Sequence, residues 1–146
     1  MLFNSILVPV DFSERSLPAL RVALELARDA HAASITLCHV TPPQAAAPTE
    51  QFQQLLGRID HRDARIQIVA TEGDPAARIL MLAKDEPFDA IVMGTRSRMG
   101  VADYLLGSVA MRVIACAPCP VITVAPDMPI VNSGDSWVEP NRSFVD

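Results

Sequence analysis

Short apolar runs alternate with longer stretches of helical periodicity along the whole chain. Ser5-Ile-Leu-Val-Pro-Val10 is too short for a helix and is closed by the polar Asp11-Phe-Ser-Glu14, which predicts a first strand. From about Ser13 to His31, Leu17, Leu20, Ala23, Leu24, Ala27 and Ala30 recur at helical spacing, with Arg21, Glu25 and Arg28 on the other face. Pro18 belongs in the first turn of that helix, so its regular part starts as late as Ser16. Ser34 to Val40 predicts a second strand, ended by Thr41-Pro-Pro43, because proline cannot donate to a ladder. Gln44 to Pro48 is a loop, Thr49 to about Asp60 a short helix, and Arg65 to Ala70 a third strand. Gly73-Asp74-Pro75 places an N-cap aspartate before an N1 proline, and Ala76, Ile79, Leu80 and Ala83 continue as a helix that stops before Pro87. Asp89 to Gly94 is apolar on both faces, as a central parallel strand is. Gly107-Ser108 opens a last helix carrying Val109, Val113, Ile114 and Ala117, and Pro120 to Val124 is a fifth strand.

Strands that alternate with helices predict an α/β fold with a parallel sheet and right-handed crossovers. The length of 146 residues suits one domain. A hydrophobic content of 50% with only 5% aromatic residues suits closely packed helices on a buried sheet and excludes wholesale disorder. Twelve basic residues are scattered among seventeen acidic ones, a formal charge of −5, which speaks against nucleic-acid binding. The start has no positive n-region or cleavage site, and no apolar run approaches the roughly 18 residues of a membrane span, so the expected location is the cytoplasm. Three cysteines are too few for a disulfide framework and agree with a reducing compartment. The single lysine, Lys84, lies outside any glycine-rich setting, which excludes a GxxxxGK[ST] phosphate loop.

Residues 126 to 146 change character: Pro, Asn, Ser, Gly and acids dominate, and four acids against Arg142 supply −3 of the −5. This acidic tail is expected outside the core that ends near residue 125. Its Trp137 and Phe144 suggest partial anchoring on the body of the protein, against the alternative of a free tail.

The segment Gly94 to Ser108 is a long loop between strand and helix with glycine at both ends. Gly107 admits close approach to the backbone, Ser108 offers a hydroxyl, and the free N–H groups of a first helical turn attract negative charge. Arg96 and Arg98 add charge-assisted donors.

Val8-Pro-Val-Asp-Phe-Ser13, Asp89-Ala-Ile-Val-Met-Gly-Thr95, Leu105-Leu-Gly-Ser-Val109 and Ala117-Pro-Cys-Pro-Val121 together resemble the universal stress protein family over residues 1 to about 125. The resemblance implies an open five-stranded parallel sheet in the order 3-2-1-4-5, Rossmann-like, with helices on both faces, and a homodimer through the fifth strand. It also implies an adenine nucleotide, ATP with Mg²⁺ among the forms, held by a G-x-x-G-(nine residues)-G-[S/T] motif. Here Gly94 stands at the first glycine, Ser97 at the second, and Gly107 with Ser108 at the end, followed by Val109, with Arg98 to Leu106 between. The Cβ of Ser97 would hinder a positive φ or crowd a phosphate, whereas its hydroxyl would donate to one. In that strand order the sheet reverses direction between strands 1 and 4, and ligands of open α/β sheets bind at such a switch point. Pro9, Val10 and Asp11 end strand 1 and Val40 ends strand 2, so they would line the base and ribose pocket. Asp11 would meet the ligand or cap the turn into the first helix, and the two roles can coexist.

Cys116-Ala-Pro-Cys119 has C-x-x-C spacing, but Cys116 is expected in a last helical turn, where the dipole disfavours a thiolate, so structural cysteines are expected. Cys38 and His39 fall on opposite faces of their strand, which opposes a zinc site. His31, His39 and His61 form no recognisable catalytic motif, and a non-enzymatic role is expected. Two readings remain: a nucleotide-binding regulatory protein, and a dimeric interaction module without nucleotide.

Overall fold

The computed structural model describes residues 3–95 and 107–125. Arg96, Ser97 and Arg98, and the tail with Trp137 and Phe144, lie outside the described residues.

Nine elements follow one another: β1 (Ser5–Pro9), α1 (Ser16–Ala27), β2 (Ser34–Thr41), α2 (Thr49–Gly57), β3 (Arg65–Glu72), α3 (Pro75–Asp85), β4 (Ala90–Gly94), α4 (Ser108–Cys116) and β5 (Val121–Val124). The strands form one parallel sheet in the order β3-β2-β1-β4-β5. The α/β class and the strand order expected from the sequence are therefore those observed.

Several expected boundaries move. α1 ends at Ala27 rather than near His31, and α2 at Gly57 rather than near Asp60. β3 runs on to Glu72 and β2 to Thr41, because the β2–β3 ladder stays in register through Thr41↔Glu72. β4 begins at Ala90 rather than Asp89, whose carboxylate instead accepts from the amides of Asn4 and Ser5 at 2.8 and 2.9 Å. β5 begins at Val121 because Pro120 supplies only its carbonyl, to Ile91 N–H at 2.9 Å.

The period-two pleat sends the central strands to two cores. Ile6, Val8, Ile35, Leu37 and Val92 pack with Leu20, Ala23 and Ala27 of α1 and Phe52 and Leu55 of α2. On the other face Leu7, Cys38, Ile91 and Met93 pack with Ala76, Ile79 and Ala83 of α3 and Ala110 and Val113 of α4. The small residues of α1 permit the helix to lie close on the sheet. β1 and β4 are inaccessible through most of their length, whereas β3 and β5 are edges with half-buried or exposed residues. Asp74 caps α3 as its sequence predicts, its side chain accepting from Ala77 N–H at 2.9 Å with Pro75 at N1. Arg112 of α4 reaches the same carboxylate at 2.9 Å and joins the two helices. Among the described residues no helix is long and apolar enough to cross a membrane.

Candidate functional site

A cleft of about 280 Å³ opens at the carboxyl ends of β1, β2 and β4, where the chain leaves β1 and β4 in opposite directions. Its walls are Pro9, Val10 and Asp11 after β1, Cys38, His39 and Val40 of β2, Met93 and Gly94 of β4, and Gly107 to Ala110 at the start of α4. Arg15 and Ser16 of α1 and Pro75 and Ile79 of α3 complete it. The sequence-derived candidates Pro9, Val10, Asp11, Val40, Gly94, Gly107, Ser108 and Val109 are thus brought to one place, whatever binds there.

Asp11 performs the capping role. Its Oδ1 accepts from Ser13 N–H at 3.0 Å, from the Ser13 hydroxyl at 2.5 Å and from the Ser16 hydroxyl at 3.2 Å, while its Oδ2 accepts from Arg15 at 3.1 Å. Partial burial opposes its charge, but the Ser13 hydroxyl and amide, the Arg15 cation and the Ser16 hydroxyl outweigh burial and hold the carboxyl below the usual carboxylate range. One oxygen is fully engaged, and the other retains acceptor capacity toward the cleft.

Beside it, the imidazole of His39 donates from Nδ1 to the carbonyl of Val10 at 2.7 Å. Because a carbonyl only accepts, a proton is assigned to Nδ1. The same ring lies 4.5 Å from the ring of Phe12, which in turn meets Phe52 edge-on at 5.0 Å. Phe12 has φ of 61°, a left-handed conformation that a bulky residue rarely adopts, and the aromatic contacts offset its cost.

The two glycines serve different ends. An added Cβ at Gly94 would lie 2.6 Å from the Arg15 carbonyl oxygen and 2.7 Å from the Arg15 Cβ, so Gly94 is a packing glycine that lets α1 approach β4. Gly107 has φ of 87° and ψ of 151°, a backbone region essentially confined to glycine, and it is the N-cap of α4 without a side-chain cap. Its carbonyl takes Met111 N–H at 3.0 Å, and the amides of residues 108–110 begin the helix without intrahelical partners, beside the cleft.

His39, Arg15, Ser16, Pro75 and Ile79 were not among the sequence candidates. The signal for His39 was its position one residue before Val40, at the carboxyl end of a strand beside the switch point. Of the cysteines, Cys38 is buried and its thiol is pushed up to about 12 by burial. Cys119 is also raised, by burial and by the Asp89 charge, and Cys116 is exposed at the end of α4; all three are free thiols. Among the described residues no group of three His, Cys, Asp or Glu side chains is placed to hold a metal.

The model of the universal stress protein family matches residues 2–125. The chain belongs to the universal stress protein family. This family member is 33% identical over 141 residues to a universal stress protein of Methanocaldococcus jannaschii, the match spanning 84% of the chain and 82% of that relative. Its fold is similar to that of a universal stress protein solved in complex with cAMP, with a TM-score of 0.72 at 24% identity over 86% of this chain and 99% of that one. It is also similar to the universal stress protein from Archaeoglobus fulgidus solved in complex with dAMP, with a TM-score of 0.64 at 26% identity over 84% and 98% of the two chains.

Proposed function

We propose that this universal stress protein is a regulatory protein of the cytoplasm that binds an adenine nucleotide in the cleft at the carboxyl ends of β1, β2 and β4. The observation that carries the reading is the meeting, in one cleft, of a switch point and an uncapped helix start. Pro9, Val10, Asp11 and Val40 form one end, and the amides after Gly107 form the other. An apolar wall suits a base, Asp11 with its remaining lone pair suits a ribose hydroxyl, and free amides with the Ser108 hydroxyl suit a phosphate. Gly94 supports the floor, while Arg96, Ser97 and Arg98 would add their donors from the intervening loop. The cAMP and dAMP complexes of two similar structures favour a purine nucleotide of this kind. ATP is the finer form of the proposal, with any Mg²⁺ carried on its phosphates, and the role is binding rather than turnover.

Protein purified without added nucleotide, denatured and analysed by mass spectrometry, is expected to release AMP, ADP or ATP, and stripped protein is expected to bind AMP and ATP calorimetrically at one site per chain. Absence of both would refute the reading.

The second reading, a dimeric interaction module, is favoured by one observation. Met111 and Ile114 of α4 are 57% and 43% exposed, and β5 is an edge strand in the same fold. A homodimer through β5 would cover them and is compatible with nucleotide binding. Sedimentation at micromolar concentration tests it, and a monomer would remove it.

A further inference from the structure

The end of the β1–β2 ladder is unusual. Val10 N–H bonds the Cys38 carbonyl at 2.8 Å, one step beyond the last paired residues, Pro9 and Cys38. Parallel pairing makes the next rung Val40 N–H to the Val10 carbonyl. Among the described residues that rung is absent, and the Val10 carbonyl is bonded instead by Nδ1 of His39 at 2.7 Å. Residues of a strand alternate in the direction of their backbone groups, so Val40, like Cys38, turns its amide toward the β1 side. Beyond Val10 that side is the cleft, which Val40 lines. A backbone N–H without a partner among the described residues calls for one.

We propose that His39 is a positioning residue that takes the place of Val40 as donor to Val10, ends the ladder, and so leaves the Val40 amide open as a donor to an acceptor nitrogen of a purine ring. The proposal rests on the nucleotide reading for the identity of the ligand, but not for the behaviour of the ladder. Three features hold the arrangement together. The Nδ1 bond fixes one ring edge, the Phe12 ring fixes the face at 4.5 Å, and Phe52 braces Phe12 from α2. Phe12, with φ of 61°, takes the backbone out of the extended conformation two residues after Val10 and so presents its ring to His39. The imidazole thereby couples the direction of the Val10 carbonyl to the turn that carries Asp11, and acts on the ligand only through those backbone groups.

Two substitutions separate this role from simple packing. In His39→Asn the side-chain Nδ2–H stands where Nδ1–H stood, whereas His39→Leu fills space without a donor. Backbone amide exchange by nuclear magnetic resonance, and calorimetry with AMP, are run on all three proteins. In the wild type the Val40 amide is expected to exchange much faster than the Cys38 amide and to slow when AMP is added. In His39→Leu it is expected to be protected before AMP is added, because the rung closes on the vacant carbonyl. AMP affinity should then fall about tenfold in His39→Leu, the worth of one hydrogen bond, and return to within about threefold of the wild type in His39→Asn. A Val40 amide as protected as Cys38 in the free wild-type protein, or a folded His39→Leu protein that binds AMP as tightly as the wild type, would overturn the proposal. Should the wild type bind neither AMP nor ATP, the nucleotide reading alone fails, and Val40 exchange still decides the role of His39. Should His39→Leu not fold, His39→Asn decides it: an open Val40 amide supports the role and a protected one refutes it.

Discussion

Replacing Gly94 by alanine isolates the contact between α1 and β4. The new Cβ would sit 2.6 Å from the Arg15 carbonyl oxygen and 2.7 Å from the Arg15 Cβ, and both are atoms that cannot swing aside as the tip of a long side chain could. The Arg15 carbonyl already accepts the first-turn bond from Ala19 N–H at a long 3.4 Å, so displacing it weakens the start of the helix further. Overpacking of this kind costs about 1–3 kcal/mol. A glycine-to-alanine change also restricts the unfolded chain, which returns about 0.4–1 kcal/mol. The net expectation is a loss of about 1–2 kcal/mol, with Tm lower by about 4–8 °C for a domain of this size. Urea unfolding followed by circular dichroism measures it, with an unchanged m-value marking a stability effect alone. Gly57→Ala is the control: it ends α2 with nothing within 4 Å of the added Cβ, and it should raise stability by up to about 1 kcal/mol. If Gly94→Ala were as stable as the wild type to within about 0.5 kcal/mol, the assignment of Gly94 to helix approach would be wrong.

Gly107→Ala should cost about 1–3 kcal/mol from its φ of 87° and ψ of 151°, and Gly107→Val more, so weakened nucleotide binding counts as a site effect only where denaturation shows the variant folded at assay temperature. Because Asp11 has a lowered carboxyl pKa, its contribution to stability is present above the ordinary carboxylate pKa of about 3.8 and is lost as pH falls through its lower folded value. Asp11→Asn should therefore flatten the wild-type loss of Tm on acidification below about pH 4, and identical acid profiles would refute this linkage. A thiol reagent should label exposed Cys116 first, Cys119 more slowly, and Cys38 only on unfolding, since burial holds the Cys38 thiol at about 12; native labelling of Cys38 at the Cys116 rate would contradict its burial.

What could be read from the sequence depended on how local the cause was. Asp74 and Pro75 declare the start of α3 within two residues, and the apolar run of β4 declares its burial on both faces, so these elements were legible. The strand order came through the family resemblance rather than from periodicity, which says nothing of which strands are neighbours. The Asp11 cap was one of two open readings, because the Asp-x-Ser spacing is local but its use is not. Gly94 was legible as a special position, but its packing against Arg15 was not, since 78 residues separate the two in the chain. The contact of His39 was hidden for the same reason: its partner is a backbone carbonyl just beyond another strand, and nothing in the residue type at Val10 announces it.

Three helices line the cleft with their first turns, and they are finished differently. α1 starts beside the Asp11 carboxylate, and α3 has Asp74 as its N-cap, whereas α4 begins at Gly107, which has no side chain to offer. Two of the three positive helix ends thus carry a built-in counter-ion and the third does not. Asp74 is further engaged by Arg112, so the carboxylate nearest to α4 is already shared with a cation of α4 itself. An anion that settles there completes the helix, and its binding energy becomes folding energy for α4. Under the nucleotide reading, occupancy and local order at residues 108–110 would rise and fall together, so a change in ligand concentration would be written into the firmness of a helix.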